Sequence, residues 1–174
     1  MSKQMPAPID FEAFYDDHAQ ALFSFLLNFT RNEADTRDVL QDVFVKVARQ
    51  PQLLNGIRDQ RAFLLRLAHN MAIDLLRRRA TRQKYSEQLA DEDLQLFAHA
   101  LNPDENAFHQ ALSSALGELP EDQRTVVYLK LWEGITFGKI AELLDISANT
   151  AASRYRYGLD KLRELLRPLY EEIK

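Results

Sequence analysis

The stretch Thr136 to Leu166, TFGKIAELLDISANTAASRYRYGLDKLRELL, constrains the fold most, because it spells two helices meeting at a tight turn. Ile140, Leu143 and Leu144 give the first helix one apolar face at helical spacing. Ala141 is small enough to let another helix cross closely. Asp145 falls where the chain must turn, and Asp tolerates the left-handed backbone better than most residues. Ser147 then offers a cap oxygen to the backbone N–H of Asn149 or Thr150, which starts a new helix. From that start Asn149, Thr150, Ser153, Arg154, Arg156 and Tyr157 project toward solvent. Such side chains suit a DNA major groove: amides and guanidiniums read base edges, while hydroxyls and arginines hold phosphates. The same pattern also fits an ordinary helical hairpin with a solvated, charged face.

The rest of the chain is helical in character too. With 46% hydrophobic residues it is composed like a globular protein, and five Gly, six Pro and few alternating β-branched runs favour an all-α fold. The absence of Cys removes disulfides, a thiolate nucleophile and Cys-based zinc sites, as expected for a reducing cytoplasm. No basic segment followed by an apolar run opens the chain, and nothing approaches the roughly eighteen apolar residues of a bilayer span. A cytoplasmic protein without membrane insertion is the expectation.

Charge is divided along the chain more than its net value of −4 suggests. Arg58, Arg61, Arg66, Arg77, Arg78, Arg79, Arg82 and Lys84 form a basic block with only Asp59 and Asp74 against it. From Tyr85 to Gln123 there is no Lys or Arg, and Glu87, Asp91, Glu92, Asp93, Asp104 and Glu105 make that stretch acidic. A basic block followed by an acidic one implies two kinds of partner surface.

Helical periodicity sets out two modules. A first helix runs from about Asp10 to Phe29, and a second starts at Asn32 with Val39, Val43 and Val47 on one face. RQPQLLNGIRDQ reads as a loop, and Asp59 caps a third helix that turns Ala62, Phe63, Leu64, Leu67, Ala68, Met71 and Leu75 toward a core. The predicted domains are residues 8–82, an acidic linker at 83–107, and residues 108–174. Pro103 suits the first turn of a helix, and Leu119-Pro120 opens another that carries Val126, Val127, Leu129, Leu131 and Trp132 and ends near Gly134.

Two segments of the first module carry chemistry. In ADTRDVLQDVFVKVAR, Asp38, Gln41 and Asp42 lie on adjacent turns with Phe44 and Val45 beside them. Acids, an amide and apolar side chains together suit docking on a basic helical partner, although a solvated helix face has the same composition. In AFLLRLAHNMAIDLLRRR, Arg66, His69, Asn70 and Asp74 share or flank one face, and Arg77, Arg78 and Arg79 continue it. Asn70 can bond a base edge, Phe63 can stack on a base or pack in the core, and the arginines can hold phosphates or complement the helix dipole.

Taken in order, these segments resemble the bacterial extracytoplasmic-function (ECF) sigma factors of the sigma-70 family, over almost the whole chain. DVLQDVFVKV resembles the family's polymerase-docking helix, with Asp42 where Glu is more usual. FLLRLAHNMAIDLLRRR resembles the helix that melts DNA and reads the minus-ten element, with Phe63 where many relatives carry Trp. ALGELPEDQRTVVYLKLWEGITFGKIAELLDISANTAASRYRYGLDKLREL resembles the module that reads the minus-thirty-five element, with Asp145 replacing a Gly and Ala151 replacing a larger apolar residue.

The resemblance implies an all-α fold of a sigma2-like domain of three to four helices and a sigma4-like helix-turn-helix domain, joined by an acidic linker. It implies docking of Asp38, Gln41, Asp42, Phe44 and Val45 on the clamp helices of the β′ subunit of core RNA polymerase. Asn70, with Arg66, His69 and the loop before Phe63, would capture a flipped minus-ten base, with Phe63 itself on the melting helix and Arg77, Arg78 and Arg79 on the adjacent backbone. Asn149, Thr150, Ser153, Arg154, Arg156 and Tyr157 would engage the minus-thirty-five element. The tether would thread through polymerase channels otherwise holding nucleic acid, and an anti-sigma factor would be a further partner.

A free-standing helix-turn-helix regulator is the competing reading, and it leaves the first module without a purpose. Enzymatic activity is not expected. His18, His69, His99 and His109 lack metal spacing, and neither a phosphate-binding glycine loop nor a nucleophile motif is present, so no metal or cofactor is implied. His18 reads as a helix-face residue, and His99 and His109 as solvated.

Overall fold

Asp10 starts the first helix by accepting a hydrogen bond from the Ala13 N–H at 3.2 Å, and Arg31 ends it in the left-handed conformation at φ 52°. The computed structural model describes residues 9–83 and 103–172. The chain divides into two units, Met1–Ala90 and Asp91–Lys174. The described residues are helical with no strand, and no described helix is long and apolar enough to cross a membrane.

The first unit holds α1 (Phe11–Thr30), α2 (Glu33–Arg49), a short 3-10 turn (Pro51–Leu54) and α3 (Gln60–Gln83). The 3-10 turn lies inside the segment expected to be loop; Pro51 opens it and Gly56, at φ 75°, follows it. Asn32 caps α2 by accepting the Asp35 N–H at 2.9 Å, and the Thr30 and Thr36 hydroxyls bond across the α1–α2 corner at 2.8 Å. Asp59 caps α3 by accepting the Ala62 N–H at 2.9 Å.

Phe25 and Leu26 of α1, Val43 and Val47 of α2, and Leu64 and Leu65 of α3 are almost wholly buried. Each contributes about 1.5–3 kcal/mol by leaving water. The buried line of α3 is Leu64, Leu65, Ala68, His69 and Ala72, whereas Phe63, Leu67, Met71 and Leu75 are only half-buried. The face is therefore rotated from the sequence expectation. Helices α1 and α2 both pack on α3, and the small Ala68 and Ala72 sit where close approach is needed.

The second unit holds α4 (Pro103–Gly117), α5 (Glu121–Leu131), α6 (Phe137–Leu144) and α7 (Ala148–Glu172). Helix α4 begins at Pro103, so residues 103–107, assigned to the linker from sequence, are helical. Residues 84–102 of that tether, with His99 and the side chain of His109, lie outside the described residues. Ala115, Leu116, Leu119, Val127 and Leu162 form one buried cluster, with Leu112, Tyr155 and Leu159 packed against it. Arg124 donates to the Gly117 and Leu119 carbonyls at 3.3 and 3.4 Å, satisfying acceptors where α4 ends. Leu131 and Trp132 close α5 on the exposed side, with Trp132 stacked on Tyr128 at 5.6 Å.

Candidate protein and nucleic-acid interfaces

On α2 the turn-by-turn spacing leaves Asp38, Gln41, Asp42 and Val45 exposed, while Val39, Val43 and Val47 fill the core. Phe44 departs from the sequence expectation. It is 4% exposed, because Phe11, Phe14 and Tyr15 of α1 close around it, the Tyr15 ring lying 4.6 Å away. Phe44 therefore serves as the floor of a groove of about 410 Å³ between α1 and α2, with Phe11, Tyr15, Leu40 and Val45 along its walls and Arg37 and Gln41 at its edge. Tyr15 and Val45 are exposed large apolar residues there. The contribution of Phe11 and Tyr15 was missed because they lie on the helix stripe that reads as core. Nothing in the sequence sets these two apart from the buried residues on the same stripe, such as Phe14.

On α3 the exposed stripe is Arg66, Asn70, Asp74, Arg77 and Arg78, with Phe63 half-buried at its start. His69 is not part of it. The residue is 8% exposed, and its ring packs edge-on to Phe29 at 5.0 Å and against Phe25 at 6.4 Å. Burial holds its pKa below the ordinary histidine value, partly offset by a hydrogen bond with Asn70, so the imidazole is neutral at pH 7. The assignment of His69 to a DNA-facing surface is thereby corrected: position 69 falls on the line where α3 meets α1.

Arg79 turns toward α2 while its side chain stays 43% exposed. Its guanidinium pairs with Asp35 of α2, a carboxylate 2% exposed. Burial raises the Asp35 pKa and the Arg79 charge opposes that rise. Arg78 stays at the surface, its Nε donating to the Asp74 carbonyl at 3.2 Å.

The helix-turn-helix forms as its residues dictate. Thr136 accepts the Lys139 N–H at 3.3 Å to start α6, and Asp145 takes the left-handed turn at φ 55°. Ser147 accepts the Thr150 N–H at 3.0 Å, and the two hydroxyls lie 2.8 Å apart, so Thr150 is engaged in the cap. Ala151 is fully buried. Asn149, Arg156 and Tyr157 are exposed, with the Arg156 guanidinium 5.2 Å from the Tyr157 ring centre. Ser153 and Arg154 are half-buried, and Arg154 Nε bonds Asp122 of α5 at 3.0 Å. Sequence reasoning missed Gly158. A Cβ there would lie 2.7 Å from Val127 Cγ2, so the α5–α7 crossing needs a glycine. A lone Gly within a helical pattern was the signal.

The sigma-70 region 2 model matches residues 14–82, and the sigma-70 region 4 model matches residues 109–162. Each match falls on one of the two helical units, which defines a sigma-70-type factor for transcription initiation. The chain is 33% identical to the RNA polymerase sigma factor CarQ of Myxococcus xanthus over 94% of this chain and 92% of the relative. It is 31% identical to the ECF RNA polymerase sigma factor SigL of Mycobacterium tuberculosis over 90% and 89%. The chain belongs to the ECF sigma factors. A solved structure of the sigma factor RpoE in complex with the anti-sigma factor NepR from Bartonella quintana shares the fold at TM-score 0.73 and 22% identity, covering 91% of this chain and 97% of that one. CnrH in complex with the cytosolic domain of CnrY matches at TM-score 0.60 and 27% identity, over 91% and 88%. The free-standing regulator is disfavoured, since both units, and not the second alone, carry sigma regions.

Proposed function

We propose that this sigma factor docks on core RNA polymerase through the exposed face of α2, then reads the minus-ten element with α3 and the minus-thirty-five element with α7. One observation carries the reading. Asp38, Gln41, Asp42 and Val45 form an exposed stripe beside an aromatic-floored groove, while Arg66, Asn70, Arg77 and Arg78 form another on a different helix of the same unit. One helical unit thus offers a surface for a basic helical protein and a surface for nucleic acid. The acids meet basic residues of the β′ clamp helices, and an apolar side chain from that partner enters the groove.

The energetics favour work as part of a larger machine. Opening DNA costs roughly 1.4 kcal/mol per base-pair step, and flipping a base costs a few kcal/mol more. One bidentate contact, such as Asn70 makes to a flipped base, returns about 1–3 kcal/mol. A chain of net charge −4 lacks the phosphate contacts to cover the difference. Core polymerase supplies them, and this chain contributes recognition rather than catalysis. The RpoE structure, solved with the anti-sigma factor NepR, supports the reading that an anti-sigma factor binds this chain too.

Two variants test the assignment on core polymerase and a cognate promoter. Asn70→Ala should cut open-complex formation at least tenfold, the loss of about 1.4 kcal/mol of base contact, while association with core polymerase stays as in the parent. Asp38→Lys with Asp42→Lys should abolish association itself. Equal loss of both properties in Asn70→Ala, or unchanged association in the double Lys variant, would refute the reading.

A further inference from the structure

The three arginines that end α3 do not act alike. Successive helical residues point about 100° apart, so Arg77, Arg78 and Arg79 sweep through about 200° and cannot follow one phosphate track. Arg77 and Arg78 are exposed, whereas Arg79 turns toward α2 and pairs with Asp35. Asp35 is 2% exposed and stands in the first turn of α2, where its own N–H is held by the Asn32 side chain at 2.9 Å. The positive end of the helix dipole favours a carboxylate there, but burial penalises its charge, and Asp38 one turn on adds repulsion. Swinging Arg79 out onto DNA would leave that buried carboxylate unpaired, the strongly unfavourable way to break such a pair.

The ion pair therefore joins the end of the proposed DNA-reading helix to the start of the proposed docking helix. We infer that Arg79 is a positioning residue: through Asp35 it fixes the arginine-bearing end of α3 against the first turn of α2, so that docking on α2 sets where Arg77 and Arg78 meet the DNA backbone. The functional half of this inference rests on the docking and DNA-reading roles proposed above, whereas the pin itself does not.

Two measurements on the full chain test it. In the free protein, hydrogen exchange followed by mass spectrometry reads residues 33–40 of α2. Arg79→Gln should accelerate exchange there at least tenfold, the effect of about 1.4 kcal/mol of local stability. Arg77→Gln should leave it unchanged, Arg79→Lys should restore much of the protection, and adding Asp35→Asn to Arg79→Gln should slow exchange again by removing the unpaired carboxylate. In the holoenzyme, promoter affinity is measured against salt. Arg77→Gln should flatten the log–log slope by about one, as the loss of one phosphate contact does. Arg79→Gln should weaken binding at every salt concentration with the parental slope. Parental exchange at 33–40 in Arg79→Gln, or a slope flattened as much as in Arg77→Gln, would overturn the inference. A parental slope in Arg77→Gln would instead refute the contact of Arg77 with the DNA backbone, and the positioning role with it, even where exchange reports the pin.

Discussion

Gly158→Ala tests the packing that holds the recognition helix. The new Cβ would lie 2.7 Å from Val127 Cγ2, 3.4 Å from Leu119 Cδ2 and 3.5 Å from Gln123 Cβ. Comfortable carbon contacts begin near about 3.5 Å, so something must yield by almost 1 Å. Val127 is fully buried on α5, and a β-branched side chain in a helix has one strongly preferred χ1, so the helices must move apart. Overpacking of this kind costs about 1–3 kcal/mol. Replacing a helical Gly by Ala returns about 1 kcal/mol through propensity. The expected net loss is about 1 kcal/mol, or a fall of roughly 4–8 °C in the melting of a unit this size. The single Trp, Trp132, lies in this unit and stacks on Tyr128, so its fluorescence reports this unit's unfolding in the intact chain. In a Val127→Ala background the methyl has room, and the penalty of Gly158→Ala should largely vanish. A Trp132 transition that rises by several degrees in the single variant would show that the crossing is open and the packing argument wrong.

Further outcomes follow from the same geometry. His69 has a folded-state pKa below its unfolded value, so the unfolded chain binds the extra proton first. Its contribution to stability is full above about pH 6.5 and is lost as pH falls below that value. Burial lowers the His18 pKa as well, so stability measured from pH 7.5 to 5 should decline. His69→Gln should shallow that decline, and an unchanged slope would count against a neutral, buried His69. For the Arg154–Asp122 pair, with Asp122 exposed and Arg154 half-buried, Asp122→Asn should shift the Trp132 transition by less than about 1 kcal/mol. A shift above about 2 kcal/mol would make the pair structural, beyond the usual range for such contacts.

The sequence by itself determined what depends on near neighbours along the chain. The caps at Asp10, Asn32, Asp59 and Ser147, the turn at Asp145 and the start at Pro103 use atoms a few residues apart, so their chemistry is legible without a fold. Family likeness was legible for the same reason, since it rests on the order and spacing of short helical segments. Only the tertiary structure decided which side of a mixed helix faces inward. Phe44, His69 and Arg79 each looked suited to a surface role, and each is claimed by another helix: by α1 for the first two and by α2 for the third. A helical repeat gives a residue's direction to within a face, but a rotation of one position exchanges interior for exterior. Gly158 shows the same limit, because the reason for its missing side chain is Val127, far away in sequence and in contact only once α5 and α7 cross.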